Sequence, residues 1–317
     1  MNSNNMNSNK MAFIFPGQGS QQVGMLSAAA KQFPEVEQTF AQASEILNYD
    51  LWALSQQGPQ EQLNLTETTQ PLLLTASVAL WRAWLAAGGP KPDYVAGHSL
   101  GEFSALVCSG VLAFEDAVDL VRHRGAFMQS AVPVGVGAMA AIIGLADEKV
   151  EAVCASCSET QIVQAVNYNS PGQVVIAGHA EAVAQAIEGC KAAGAKRGLP
   201  LPVSAPFHTS LMQVAGEQLS VLIHALNFSA PEIPIVHNVT AKTESDPYKI
   251  KALMVEQIYS PVQWTRCTEF MVSQGVDHTV ECGPGKVLSG LSRRIHKPLT
   301  TANIELPDAL LAAVASR

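Results

Sequence analysis

Tyr94-Val95-Ala96-Gly97-His98-Ser99-Leu100-Gly101-Glu102 is the stretch on which the fold turns. A short apolar run stops at a glycine, and residues 102–109 continue at helical spacing. Gly-x-Ser-x-Gly between a strand and a helix is the setting of a nucleophile elbow. The glycines permit a sharp turn that lifts the serine hydroxyl clear of the backbone, and the helix behind it aims N–H groups at a developing oxyanion. The blander reading is a plain strand-to-helix turn. Ser99 is the candidate nucleophile.

Working outward, other short apolar runs read as further buried strands. Ala12–Phe15 stops at Pro16-Gly17, Pro234–Val236 is a second, and Thr279-Val280 precedes Gly283-Pro284-Gly285. Such runs alternating with helical stretches predict an α/β protein with a mostly parallel sheet. The middle of the chain has a different rhythm. A strand (Met139–Leu145), helix (Asp147–Cys157), strand (Ile162–Tyr168), a turn at Ser170-Pro171-Gly172, strand (Val174–Ala177), helix (Glu181–Ala193) and strand (Arg197–Leu201) follow one another. That β-α-β-β-α-β order is the split βαβ of a ferredoxin-like unit. With Gly135 and Gly137 on one side and Pro200, Pro202 and Pro206 on the other as hinges, residues 134–204 are expected to form a small subdomain. It would be inserted into a large α/β subdomain of residues 11–133 and 205–317, behind a mobile Asn/Ser-rich tail over residues 1–10.

The 317 residues fit about two domains at roughly 150 residues each. Asp and Glu number 27 against 19 Lys and Arg, a net charge of -8, which disfavours nucleic acid as the main partner because a phosphate backbone selects a basic face. The opening MNSNNMNSNK holds no apolar signal core and no run of 18 apolar residues occurs, so a cytoplasmic protein that does not span a membrane is expected. The six cysteines then read as reduced thiols. Cys154-x-x-Cys157 lies in a helical stretch with no second pair or flanking histidines, so neither a metal site nor a redox centre is expected.

A serine nucleophile needs a base, and spacing does not choose among eight histidines. His208 has the best local setting, because Pro206-Phe207-His208-Thr209-Ser210 joins a proline-marked loop to a new helix. On the helix after the elbow, Phe114, Ala117, Val118, Val121, Gly125 and Met128 share one stripe at about 100° per residue, and Arg124 sits at its edge. Arg124 could snorkel to solvent, or its planar fork could enter a cleft and take a carboxylate by two bonds. Phe15-Pro16-Gly17-Gln18-Gly19-Ser20-Gln21 runs from a strand end into a glycine-rich turn, able to offer backbone N–H groups. It lacks the Lys-Ser/Thr of a phosphate loop and the third glycine of a dinucleotide fingerprint.

These clusters resemble the malonyl-CoA:acyl carrier protein transacylases of fatty acid synthesis and the related acyltransferase domains of polyketide synthases. The matching segments are FPGQGSQ (15–21), GHSLGE (97–102), RHRGAFMQ (122–129), GAMAAIIG (137–144), NYNSPGQVVIAG (167–178), PFH (206–208), EQIYSPVQW (256–264) and ECGPGKVL (281–288). The resemblance implies an α/β-hydrolase-like large subdomain with a ferredoxin-like small one. It implies that Ser99 is acylated with His208 as base, His208 being oriented by backbone carbonyls near Gln257 rather than by an Asp. It further implies an oxyanion hole of the Gln18 and Leu100 backbone N–H groups, and Arg124 on the free malonate carboxylate. Gln18, His98, Asn169 and Gln257 would line the pocket, and Phe207 resembles the bulky residue of malonyl-type sites. No metal or bound cofactor is required: malonyl-CoA is the donor and the phosphopantetheine of an acyl carrier protein the acceptor, served by a monomer.

A free-standing malonyl acyltransferase of a polyketide synthase, a serine hydrolase and a silent carrier-binding subunit are the alternatives. Carrier proteins are typically acidic, so an acidic enzyme would meet one through a local basic surface. Lys191, Lys196 and Arg197, or Arg293, Arg294 and Lys297, are the candidates, and ordinary solvated charges are the other reading of both groups.

Overall fold

The computed structural model describes residues 10–158, 161–203 and 205–317. The expected tail lies outside them except for Lys10, which is already the first residue of a strand.

Among the described residues, nine strands form two sheets. β1 (Lys10–Phe15), β2 (Tyr94–Gly97), β7 (Ile235–Val236), β8 (Val276–Glu281) and β9 (Thr300–Asn303) make a parallel sheet in the order β7-β2-β1-β8-β9. β3 (Gly137–Ile143), β4 (Val163–Ser170), β5 (Gln173–His179) and β6 (Arg197–Pro200) make an antiparallel sheet in the order β4-β5-β3-β6. Its helices, Asp147–Ser156 and Ala180–Ala192, complete the β-α-β-β-α-β order expected from the sequence.

The period of two in strand side chains explains how each sheet is covered. In central β1, Met11, Phe13 and Phe15 enter the main core, while Ala12 and Ile14 enter a second core on the opposite face. Phe13 is gripped edge-on by Trp81 and Trp84 at centroid distances of 5.3 and 5.1 Å. A strand apolar on both faces is what a central parallel strand requires. The small sheet divides its faces differently. Ala140, Ile142, Val174 and Ile176 pack beneath its own helices, whereas Met139, Val175 and Ala177 turn toward the main core and the large sheet.

β1 and β2 are paired with Phe15 beside Gly97, so the glycine-rich turn and the serine elbow leave neighbouring strands at the same carboxyl edge. This is where open α/β sheets bind ligands. The small sheet is stitched over that edge by Tyr168 N–H to the Val262 carbonyl (3.0 Å) and Val262 N–H to the Val166 carbonyl (2.8 Å). β9 was not anticipated: Thr-Thr-Ala-Asn lacks an apolar run because it is a partly exposed edge strand.

Candidate active site

Ser99 has φ 50° and ψ −106°, in the left-handed half of the map that a non-glycine residue seldom occupies. Two neighbours make the turn sterically possible. A Cβ on Gly97 would overlap the Gly101 backbone, and one on Gly101 would overlap the Phe15 carbonyl. Asn238, just beyond β7, clamps the strained turn: its Nδ2 donates to the Gly97 carbonyl (2.7 Å) and its Oδ1 accepts from Ser99 N–H (2.8 Å). Leu100 then opens the Leu100–Cys108 helix.

The Ser99 hydroxyl lies 2.8 Å from Nε2 of His208. On the far side of the ring, Nδ1 is 2.8 Å from the Gln257 carbonyl oxygen. A carbonyl only accepts, so Nδ1 carries the proton and Nε2 presents its lone pair to the serine. Gln257 closes the carboxyl end of the Pro247–Glu256 helix, and the Ser260 carbonyl also faces the imidazole. The negative end of a helix thus stands where a triad would place a carboxylate. Burial, then the nearby Arg124 charge, hold the His208 pKa down to about 3, against the opposing pull of those carbonyls. In the resting site the base is neutral.

Arg124 does not snorkel. It is 1% exposed, on the Phe114–Ser130 helix whose whole predicted stripe is buried, and its guanidinium lies 5.2 Å over the Phe103 ring. Gly125 makes this possible, since a Cβ there would run into the Thr66 carbonyl of the adjacent helix, Thr66–Ala86. Nη1 donates to Gln70 Oε1 (2.8 Å), while Nη2 donates to Gln257 Oε1 (2.9 Å) and to Ser99 Oγ itself (3.1 Å). Burial lowers its pKa to about 9, with Glu102 opposing, so it stays cationic at neutral pH.

A cavity of about 210 Å³ opens over these groups. Gln18, His98, Leu100, Asn169 and Phe207 border it together with Ser99, Arg124 and His208. His98 Nε2 meets Asn169 Oδ1 at 2.8 Å, which ties the elbow to β4 of the small sheet, and burial lowers the His98 pKa. Gln257 is the exception to the expected lining. Its side chain stands behind Arg124, with Nε2 donating to the Ser99 carbonyl (2.9 Å) and to Glu102 (2.7 Å).

Sequence reading missed Gln70, Glu102, His237 and Asn238. Asn238 was within reach, because it follows a predicted strand at the carboxyl edge of a parallel sheet. Gln70 carried no signal, sitting inside a helix buried over most of its length. Among the described residues no group of three or more His, Cys, Asp or Glu could hold a metal ion, and Cys154 and Cys157 are free thiols. Of the candidate basic residues, Lys191 pairs with Glu188 (2.7 Å), Arg293 Nε donates to Thr301 (3.0 Å) and Arg294 Nη1 to Gln173 (2.6 Å).

The model of the acyl transferase domain family matches residues 12–304. The malonyl CoA-acyl carrier protein transacylase of Salmonella typhimurium is 58% identical over 305 residues, covering 96% of this chain and 99% of that protein. Among solved structures, the malonyl CoA-acyl carrier protein transacylase of Coxiella burnetii superposes with a TM-score of 0.96 at 46% identity over 97% of each chain. A malonyl-transacylase solved in complex with its type II polyketide acyl-carrier protein gives 0.96 at 52% identity, over 97% of this chain and all of that one.

Proposed function

The chain belongs to the acyl transferase domain family, among its malonyl CoA-acyl carrier protein transacylases, and from that premise we propose how its residues carry out the transfer. The activity is [acyl-carrier-protein] S-malonyltransfer, from coenzyme A to the phosphopantetheine thiol of an acyl carrier protein.

Ser99 Oγ attacks the thioester carbonyl carbon while His208 Nε2 takes the hydroxyl proton. The oxyanion is assigned to the backbone N–H groups of Gln18 and Leu100, two residues that border the cavity with Ser99. The C–S bond breaks, and coenzyme A departs as a thiol with the proton from His208. The carrier thiol then attacks the malonyl-serine ester, giving its proton to His208, and Ser99 Oγ leaves with that proton. The observation that carries the malonyl assignment is the guanidinium of Arg124, buried and 3.1 Å from the nucleophile. An acyl group ending in a carboxylate pairs that charge, and one ending in a methyl leaves it unmatched. Phe207 crowds an α-methyl branch.

The carrier is assigned to fatty acid synthesis, with the polyketide carrier as the second reading because one 52% identical relative is complexed with such a protein. We place carrier docking on the Arg293, Arg294 and Lys297 side, since Val287, Leu288 and Leu291 of the helix that carries Arg293 and Arg294 border the groove that holds Gln18 and His98. Residues 11–133 with 205–317 and residues 134–204 act as the two jaws of the cleft. All the site residues come from one chain, so a monomer suffices; the enzyme is assigned to the cytoplasm, and among the described residues no helix is long and apolar enough to cross a membrane.

The test is to malonylate the protein with malonyl-CoA, remove free coenzyme, and add carrier protein with and without its phosphopantetheine. Transfer to the pantetheinylated form alone is expected, and comparing rates for fatty-acid and polyketide carriers from one cell decides between the two. Release of free malonate with no transfer would make the protein a hydrolase instead.

A further inference from the structure

Behind the reacting groups lies a carboxylate with no part in the transfer steps. Glu102 is 1% exposed, in the first turn of the elbow helix, and three nitrogens meet its oxygens. His237 Nδ1 is 2.7 Å from Oε1, and Gln257 Nε2 (2.7 Å) and Asn238 N–H (3.2 Å) meet Oε2. His237 is fully buried and its Nε2 has no partner. Glu102 lies close enough to Arg124 to oppose the effect of burial on that guanidinium, and so stands as its buried counter-charge.

The polarity of the Gln257 amide follows from this. With its NH2 committed to Glu102 and to the Ser99 carbonyl, its oxygen is left to accept from Arg124 Nη2, the nitrogen that also reaches Ser99 Oγ. We infer that Glu102 is a positioning residue for recognition of the acyl carboxylate, acting through the Gln257 amide to hold the Arg124 fork beside the nucleophile. The inference rests on the malonyl reading of the site given above.

An amide at position 102 offers one oxygen where the carboxylate offers two, so it satisfies Gln257, Asn238 N–H and His237 together only if the His237 proton sits on the partnerless Nε2 and Nδ1 accepts the new NH2. The other relief is rotation of Gln257, which turns that amide's NH2 toward Arg124 and sets donor against donor.

The experiment compares kcat/KM for malonyl-CoA and acetyl-CoA in the wild-type protein, Glu102→Gln, Arg124→Ala and the double variant. Losing one well-placed bond of the fork should lower the malonyl-over-acetyl ratio of Glu102→Gln about tenfold or more. In the Arg124→Ala background the same change should leave the ratio where Arg124→Ala alone puts it. A merely structural role would slow both substrates alike. Glu102→Asp keeps the charge but shortens its reach to Gln257, so an intermediate ratio is expected there whichever nitrogen of His237 carries the proton. A wild-type ratio in folded Glu102→Asp would overturn the inference. A wild-type protein that does not favour malonyl-CoA would instead overturn the functional reading.

Discussion

Replacing Arg124 with alanine is the most informative perturbation of the pocket, because each donor of the side chain can be followed. Nη1 is engaged by Gln70, Nη2 by Gln257 and the Ser99 hydroxyl, and Nε has no partner. An arriving carboxylate exchanges a neutral acceptor for a charged one at Nη2, a gain of about 1–1.5 kcal/mol, and one further charge-assisted bond adds about 1.5–3 kcal/mol. The sum of about 2.5–4.5 kcal/mol corresponds to a preference on the order of a hundred- to a thousandfold that acetyl cannot share. Arg124→Ala should therefore lower kcat/KM for malonyl-CoA by roughly that factor while leaving acetyl-CoA equal or better, since no guanidinium then stays buried without a partner. Gln70 and Gln257 lose a donor, but Gln70 borders the cavity and removing the guanidinium extends it to Gln257, so water can reach both and thermal unfolding run in parallel should show a fold retained. Arg124→Lys keeps the charge yet cannot span both glutamines, and its ratio should fall between the two. A folded Arg124→Ala protein with an unchanged malonyl-over-acetyl ratio would refute the clamp.

Two other consequences concern stability and acid sensitivity. The folded chain holds His208 near 3 and His98 below its usual value, whereas in the unfolded chain both titrate near 6.5. The unfolded state thus binds more protons as pH falls, so the stability is complete above about 6.5 and is lost toward 3, by at most about 1.4 kcal/mol per pH unit per histidine. Urea unfolding between pH 7.5 and 4.5 should show this decline, with a shallower slope in His208→Gln; equal slopes would contradict the depressed pKa. Gly101→Ala drives a methyl into the Phe15 carbonyl and should cost about 1–3 kcal/mol or more together with most activity. An alanine variant with wild-type melting temperature and rate would show that the close approach is not needed.

The elbow was legible because its determinants are local: an apolar run, two glycines and a helix within nine residues. The small sheet was legible because period two and period 3.6 alternate cleanly along it. What sequence could not show is convergence across the chain. Ser99 meets Arg124 from 25 residues away, His208 from 109, and Arg124 meets Gln257 across 133. On its helix, Arg124 reads equally well as a snorkelling edge residue, and only the helix packed at Gly125 removes the route to solvent. Gln257 came from resemblance as a pocket residue, and the structure moves its side chain one layer back, where it connects Arg124 to a carboxylate that sequence reading had treated as an ordinary helix-start residue.

The central claim is that Ser99 carries the malonyl group between two thiols, and the intact mass of the protein after mixing with malonyl-CoA tests it most directly. The account predicts a gain of one malonyl group on the wild-type chain, stable until carrier protein is added, and no gain on Ser99→Ala. An adduct that persists in Ser99→Ala, or a wild-type chain that turns over malonyl-CoA without ever gaining mass, would contradict it.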